Sequence, residues 1–439
     1  MYAIWRHYLV NLRMRKRACA LVPIIFIFFF HIPCTKAQYD APLYTSYTTT
    51  AARAKLHDRL IKNSIIRNLN VPLTDTTEEN WQDAFNGMEL LLYKTSFTND
   101  KIDAAFRDFE NRTVEFQRSF LEVVYALYPE EYAEQLILIS ERTDDLTVFA
   151  ICVEYILQKK STDIIQQLSF TLQSHFSFEF SNPMYSAVLE RIHEALNGSR
   201  KFISKPELKL VLGSGFLPGN VVMYSFHRKN RDYPGLVLVR NAFGGFSTDS
   251  SGAIFTVPQL ARSISNLPYY LKGGNTPQGI FLMYGFGVSM NSFIGPSANV
   301  QMGMPVELTI KQFLRDSTIS DTVWNPIFYE RLLPPKLKDC TPLHESYTAG
   351  AAGRNEIIAH GTAIDPEYYL TQIYYPLTPS RGCLGTAEVW NGKRISSDQQ
   401  KLVNALLQAG GADGYCVVIE IDDANRPVVI EDILPFLPM

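Results

Sequence analysis

The spacing of apolar residues changes near residue 200, and this change limits the chain to a fold with two differently built parts. Before it, apolar residues recur every three or four positions, as in Trp81, Phe85, Met88 and Leu92, which is the spacing that buries one face of a helix. From residue 205 onwards, short apolar runs such as 415–421 alternate with glycine and proline, which is typical of strands joined by turns. We therefore expect an α+β multidomain protein, in which an N-terminal all-α domain precedes a mostly-β domain.

The predicted segments are a leader at 1–37, an extension or linker at 38–75, the helical domain at 76–200 and the mostly-β domain at 205–439. Predicted helix starts in the helical domain follow one another every 14 to 22 residues, which favours antiparallel helix pairs and allows a helix-pair repeat. The helical domain contains no constellation of catalytic type, so we expect it to position the protein or to bind a partner. In the mostly-β domain the pattern predicts a strand at 209–212 and short helices at 257–267 and 397–408.

The first 37 residues have the layout of a secretory signal peptide. A basic stretch precedes thirteen apolar positions at 18–30, which are too few to span a membrane as a helix. Thr35 and Ala37 are small residues that fit cleavage before Gln38, so we expect the protein to be exported. The alternatives are a lipoprotein modified at Cys34 and an uncleaved anchor. No later stretch is long and apolar enough to predict a transmembrane segment.

Charge and cysteine spacing exclude several function classes. The leader holds six basic and no acidic residues, so its removal takes the formal net charge from −3 to −9. An acidic protein lacks the basic surface that nonspecific nucleic-acid binding needs, and we expect no nucleic-acid partner. The cysteines after the leader show no zinc-ligand spacing, so no zinc site is predicted; they are Cys152, Cys340, Cys383 and Cys416.

A short turn at Ser380, Arg381, Gly382 and Cys383 has the residues of a nucleophilic site. A cysteine nucleophile needs a base to take its proton and amide groups to hold the oxyanion that forms on the attacked carbonyl. Glycine lets a tight turn expose its amides, and His360, 23 positions before Cys383, is the candidate base. The alternative is a buried thiol and a structural histidine.

Three segments of the second half resemble, in their order, the catalytic domain of the L,D-transpeptidases, the YkuD-type enzymes of the bacterial cell wall. Residues 276–281 are similar to the family's T-P-x-G-x-F turn, residues 360–362 read H-G-T, and residues 380–383 are similar to its S/T-H-G-C signature. The likeness covers about residues 205–435. It departs from the family pattern at Arg381, where a second histidine is usual, and at Gly385, where Asn or Arg is common.

The resemblance implies acyl transfer on peptidoglycan stem peptides in the periplasm or cell envelope, with no metal or organic cofactor. Cys383 would form a thioester, His360 would be its general base and the backbone carbonyl of Gly361 would orient the imidazole. The turn of Ser380, Arg381 and Gly382 would hold the oxyanion and the substrate. An amine acceptor would give a 3-3 cross-link, whereas water would make the protein an L,D-carboxypeptidase or a related murein hydrolase.

Two further expectations concern substrate and partners. The guanidinium of Arg381, lying beside the nucleophile, would favour a carboxylate and lower the thiol pKa. Arg240, Arg354 and Arg394 are additional candidates for binding a carboxylate. The helical domain is a candidate site for another envelope protein, and a non-catalytic scaffold that binds muropeptides is the remaining alternative.

Overall fold

A computed structural model describes residues 44–158, 161–198, 201–289 and 291–438 of the chain. The predicted leader and Cys34 lie outside these ranges. Within them the protein has an α+β arrangement, with helices in the first part of the chain and a large mixed sheet in the second.

The first part is built from helices α1 to α8, whose starts carry recognisable caps. The side chains of Thr95, Thr113, Asp145 and Asn182 each accept a hydrogen bond from the first turn of a helix, which satisfies an amide that has no partner inside that helix. Phe85 lies in the apolar core that these helices share. The helices are α1 (Thr50–Arg59), α2 (Glu78–Leu91), α3 (Ser96–Arg107), α4 (Val114–Leu127), α5 (Ala133–Arg142), α6 (Leu146–Leu157), α7 (Thr162–His175) and α8 (Pro183–Asn197).

The segment at 38–75, predicted to be an extension or linker, is instead part of the folded structure where it is described. Helix α1 continues as a π-helical stretch over Leu60–Arg67, and Leu60 and Ile65 are buried. The sequence does not predict this packing, because the apolar positions here are few and only tertiary contacts reveal that they are covered. Leu60 packs with Tyr369 from the second part of the chain.

The second part is organised by an eight-stranded mixed sheet. Its strand order is β3-β2-β1-β10-β4-β5-β6-β7, in which β1 pairs with β10 and β6 with β7 in parallel. The remaining neighbours in this sheet are antiparallel, and β8 and β9 form a separate hairpin. The strands are β1 (Val221–Arg228), β2 (Gly235–Arg240), β3 (Val257–Gln259), β4 (Gly279–Gly287), β5 (Asn299–Gly303), β6 (Ala359–Gly361), β7 (Leu384–Thr386), β8 (Glu388–Asn391), β9 (Lys393–Ser397) and β10 (Asp413–Asp422).

The two edge strands of the sheet meet through Leu260 and Gly385. The amide of each residue donates to the carbonyl of the other, at 2.7 and 2.8 Å. Strand β7 therefore has hydrogen-bond partners on both sides, although it lies last in the strand order. Five helices accompany the sheet: α9 (Lys205–Leu212), α10 (Ile310–Phe313), α11 (Pro326–Glu330), α12 (Glu345–Ala351) and α13 (Asp398–Ala409).

Local signals predicted some of these elements and misassigned others. The helix predicted at 397–408 is confirmed as α13, capped by the Ser397 side chain. The strand predicted at 209–212 is wrong, because Ser204 and Glu207 form a capping box that starts helix α9. The helix predicted at 257–267 is also wrong, since that segment forms β3 and the contact of Leu260 with β7.

The two parts of the chain share apolar contacts. Leu267, Tyr270 and Leu271, which follow β3, belong to the core of the helices. Leu90 of α2 in turn packs with Leu377 of the segment before the Cys383 turn. Among the described helices, none has the length and apolar character needed to cross a membrane.

Candidate active site around Cys383

Strands β6 and β7 bring His360 and Cys383 onto neighbouring strands. His360 pairs with Gly385 in the parallel register, and the amide of Leu384 donates to the carbonyl of Ile358 at 3.0 Å. Cys383 stands immediately before β7, two positions before the residue that pairs with His360, so two residues 23 positions apart along the chain lie near the same end of adjacent strands.

Gly382 allows the tight turn that leads into Cys383. Its φ of +101° lies in a region that residues with a side chain rarely adopt. A Cβ atom at this position would collide with the guanidinium of Arg354 and the carbonyl oxygen of Gly274. The Gly382 carbonyl accepts a hydrogen bond from Thr276 Oγ1 at 2.9 Å, so residues of the T-P-x-G-x-F segment hold the turn in place.

Ser380 has a specific role in the turn that residue type alone does not reveal. Its Oγ accepts a hydrogen bond from the Cys383 amide at 2.8 Å and donates to the Cys383 carbonyl at 3.0 Å. The Cys383 amide is thus engaged, and an oxyanion would have to bind the amides of Arg381 and Gly382, or displace Ser380 Oγ.

The Cys383 thiol is half-buried and bonded to the backbone. Its Sγ donates to the carbonyl oxygen of Glu356 at 3.6 Å. Burial raises the pKa of Cys383 to about 11; the hydrogen bond from the Ile358 backbone and the charge of Arg354 oppose this shift, while Glu356 and Glu307 add to it. The resting thiol is therefore protonated near neutral pH, and a nucleophilic reaction needs a base.

Arg354 is the guanidinium that acts on the thiol. It is buried and donates to three backbone carbonyls, those of Asn275 at 2.7 Å, Gly274 at 2.9 Å and Tyr269. Burial lowers the pKa of Arg354 to about 10, and the Cys383 thiolate opposes this shift. Of the three arginines proposed to bind a carboxylate, Arg354 is the one that lies beside the nucleophile.

The His360 imidazole has the tautomer that a base requires. Its Nδ1 lies 2.7 Å from the carbonyl oxygen of Gly361, and since a carbonyl only accepts, Nδ1 carries the proton. Nε2 is left as an acceptor and makes no hydrogen bond within the described part of the chain, so it is not bonded to Cys383 in this conformation. Burial lowers the pKa of His360, with the Gly361 contact opposing this shift, which keeps the ring neutral at pH 7.

A buried carboxyl, Glu388, packs against Gly361, the residue after His360, and was not predicted. The Gly361 carbonyl also accepts a hydrogen bond from the Gly295 amide at 2.7 Å, and a Cβ atom on either glycine would collide with Glu388. Glu388 accepts hydrogen bonds from the amide and hydroxyl of Ser297, and burial raises its pKa. No signal in the sequence marks this carboxyl, because Glu388 is 27 positions from Gly361 and the two are brought together only by the fold.

Arg381 points away from the thiol, contrary to expectation. Its Nη2 donates to Asn86 Oδ1 on helix α2. Burial raises the pKa values of the nearby Glu89 and Glu122 carboxyls, and the charge of Arg381 opposes this rise. The prediction failed because the direction of a long side chain is set by its neighbours. Here those neighbours come from a helix some 295 positions earlier in the chain.

Other predicted site residues are used structurally. Arg240 donates to the carbonyls of Gly213 and Phe216, and Arg394 donates to Gln400. In the segment between His360 and Cys383, Tyr369 is buried and donates to the carbonyl of Leu90 at 2.7 Å. This segment therefore joins the helices to the sheet.

No group of three or more His, Cys, Asp and Glu side chains suited to a metal ion occurs within the described ranges. The chemistry available at the site is that of a thiol, a neutral imidazole and backbone amides. Comparison of the chain with protein-family models, with curated proteins and with solved structures finds no match.

Proposed function

We propose that the protein is an exported cysteine acyltransferase that acts on peptidoglycan stem peptides, as an L,D-transpeptidase forming 3-3 cross-links. The observation that carries the proposal is the state of His360: a neutral imidazole with Nδ1–H on the Gly361 carbonyl and Nε2 free, one strand away from Cys383. The order of the three motifs supports the substrate class. The half-buried thiol supports a site that substrate can reach once Sγ leaves the Glu356 carbonyl.

The first half of the reaction forms a thioester. His360 Nε2 takes the proton of Cys383 Sγ, and the thiolate attacks the carbonyl that joins the third residue of the stem to the terminal D-alanine. Backbone amides of Arg381 and Gly382 hold the oxyanion. The C–N bond then breaks, and the proton on His360 passes to the amine of the departing D-alanine.

The second half returns the enzyme to its starting state. An amine of a second stem gives its proton to His360 and attacks the thioester carbonyl. The C–S bond breaks, the new amide forms and His360 returns the proton to Cys383 Sγ. With water in place of the amine the same steps produce a tripeptide.

The proposal is tested first by acylation with a carbapenem, followed by intact mass spectrometry. We expect one adduct on the wild-type protein and no adduct on Cys383→Ser. The control variant Cys340→Ser replaces a buried thiol and should form the same adduct as the wild type. His360→Gln should lower the acylation rate about 100-fold or more, the usual range for loss of a general base.

Purified disaccharide-tetrapeptide then identifies the reaction. Cross-linked dimer that depends on Cys383 supports transfer, and tripeptide alone indicates a hydrolase. If a folded wild-type protein gives neither an adduct nor a product, the enzymatic proposal is wrong and the scaffold alternative is favoured.

A further inference from the structure

Arg354 is a buried cation whose hydrogen-bond acceptors are all neutral. The residue is 4 % exposed, and its guanidinium donates to the backbone carbonyls of Asn275 at 2.7 Å, Gly274 at 2.9 Å and Tyr269. It forms no ion pair with a carboxylate in the part of the chain that the structure describes. Carbonyl oxygens satisfy the N–H donors but leave the charge without a counter-ion, and an uncompensated buried charge is costly.

The backbone places this charge against the nucleophile turn. The amide of Arg354 donates to the carbonyl of Ala349 at 3.0 Å, just after helix α12 ends, which fixes the point where the side chain begins. Its Nη2 lies so close to Gly382 that a Cβ atom on this glycine would collide with it. Cys383 is the next residue, so a thiolate on Cys383 would form beside the guanidinium.

The other charged or titratable groups that face Cys383 do not supply a counter-ion. Glu356 and Glu307 both disfavour a thiolate, each by less than Arg354 favours it. The Glu356 side chain is exposed, so water screens its charge, and burial raises the pKa of the half-buried Glu307. His360, on β6, is neutral because burial lowers its pKa. Arg354 is therefore the group among these four that stabilises a thiolate.

We infer that Arg354 is a positioning residue of the proposed reaction: its charge compensates the Cys383 thiolate, and its guanidinium does not bind a carboxylate of the substrate. To reach the guanidinium, such a carboxylate would have to displace the backbone of Gly274 or Gly382. The effect on the thiol that was expected of Arg381 belongs to Arg354. The inference rests on the proposed function, because it takes Cys383 as the nucleophile.

Alkylation of Cys383 by iodoacetamide, followed by intact mass spectrometry between pH 7 and 9, tests the inference without requiring transferase activity. Iodoacetamide is uncharged and reacts with the thiolate, so its rate below the thiol pKa follows the thiolate fraction. We expect Arg354→Met to react about tenfold more slowly than the wild type at each pH, since losing an adjacent opposite charge raises a thiol pKa by about one unit or more. Cys383→Ser gives the background from the other cysteines.

Arg240→Met is the matched control for loss of a buried arginine. Arg240 is also buried and donates to three backbone carbonyls, those of Gly213, Phe216 and Leu217, but it is not among the charges that act on Cys383. This variant should lose stability, as Arg354→Met does, and keep the wild-type alkylation rate.

Arg354→Lys separates the charge from the hydrogen bonds. Lysine keeps a positive charge but lacks the planar fork that reaches three carbonyls, so its alkylation rate at pH 7 should stay within about threefold of the wild type. A residue that only held the turn in shape would not be rescued by lysine. If Arg354→Met does not fold, Arg354→Lys decides the question: a rate within threefold supports the inference, and a larger loss overturns it.

The kinetics of carbapenem acylation distinguish a counter-ion from a residue that binds the substrate. Loss of a counter-ion should lower the maximal acylation rate about tenfold and leave the half-saturating carbapenem concentration unchanged. A rise in that concentration in Arg354→Met, an unchanged iodoacetamide rate in that variant, or equal slowing in Arg240→Met would each overturn the inference. If the wild type forms no carbapenem adduct, the proposed function fails, and the iodoacetamide rates still decide the role of Arg354.

Discussion

Gly382 is the residue whose substitution most directly tests the geometry of the nucleophile turn. Gly382→Ala places a Cβ atom against Arg354 and the Gly274 backbone in addition to straining a φ of +101°. Gly411→Ala is a matched control, because Gly411 has a φ of +111° and nothing within 4 Å of the added atom. We expect Gly411→Ala to lower the free energy of unfolding by about 1–3 kcal/mol and Gly382→Ala by at least about 1 kcal/mol more, as measured by urea denaturation. Equal losses would mean that the turn has room for a side chain.

The sequence selected candidate residues for the site, but it did not reveal the surroundings of their side chains. The types and order of His360 and Cys383 sufficed to select them, because a base and a thiol are recognisable by type. Arg381 was assigned to the thiol, yet Arg354 lies there, since the direction of a side chain depends on packing between distant segments. Glu388 was missed for the same reason.

At the scale of elements, helix α2 is coupled to the nucleophile turn through a buried carboxyl. Glu89 is 4 % exposed, one of its oxygens has no hydrogen-bond partner in the described chain, and its neighbours are Glu122 and Arg381. Burial and, next, the charge of Glu122 raise the pKa of Glu89 to about 8, against the opposing charge of Arg381. The Glu89 and Glu122 carboxyls cannot both ionise without cost, so the stability of the contact between helix α2 and the nucleophile turn depends on pH.

The pH dependence of unfolding tests this coupling. A carboxyl whose pKa is raised in the folded state stabilises it fully below the unfolded pKa, near 4.5, and this stability is lost as the pH rises towards 8. We therefore expect Glu89→Gln to be more stable than the wild type at pH 9, by on the order of a few kcal/mol, with the difference vanishing near pH 4. Glu79→Gln, on the exposed face of the same helix, should show little pH-dependent difference. A wild type as stable as Glu89→Gln at pH 9 would contradict the assignment.

The elements themselves were predictable where local signals decided them. Helix α13 was found from its periodicity and its cap at Ser397. The segment at 257–267 has apolar residues at helical spacing but forms β3 and a contact with β7, because the sheet supplies hydrogen bonds that the sequence does not reveal. Strand order was not predictable, since β10 lies between β1 and β4 although it comes last in the chain.

For the whole molecule, the expected division near residue 200 is weaker in the structure than in the sequence. Tyr270 of the second part is buried in the core of the helices and donates to Glu154 Oε1 at 2.7 Å. Tyr369, also in the second part, donates a hydrogen bond to the carbonyl oxygen of Leu90 in helix α2, and both contacts are buried. Separating the parts would expose these apolar surfaces and leave buried polar groups without partners, which favours joint unfolding.

Calorimetry of two core variants tests whether the parts unfold together. Phe85→Leu lies in the core of the helices and Val417→Ala in the sheet, and both side chains are fully buried. We expect a single transition in the wild type and in each variant, with either substitution lowering the same Tm. If the two parts unfold cooperatively, a loss of about 1–3 kcal/mol in the free energy of unfolding at either site destabilises the whole molecule. Two transitions, one shifted only by Phe85→Leu and the other only by Val417→Ala, would show that the helices form an independent domain. In that case they would be free to move relative to Cys383, and the contact between Arg381 and Asn86 could not hold the turn.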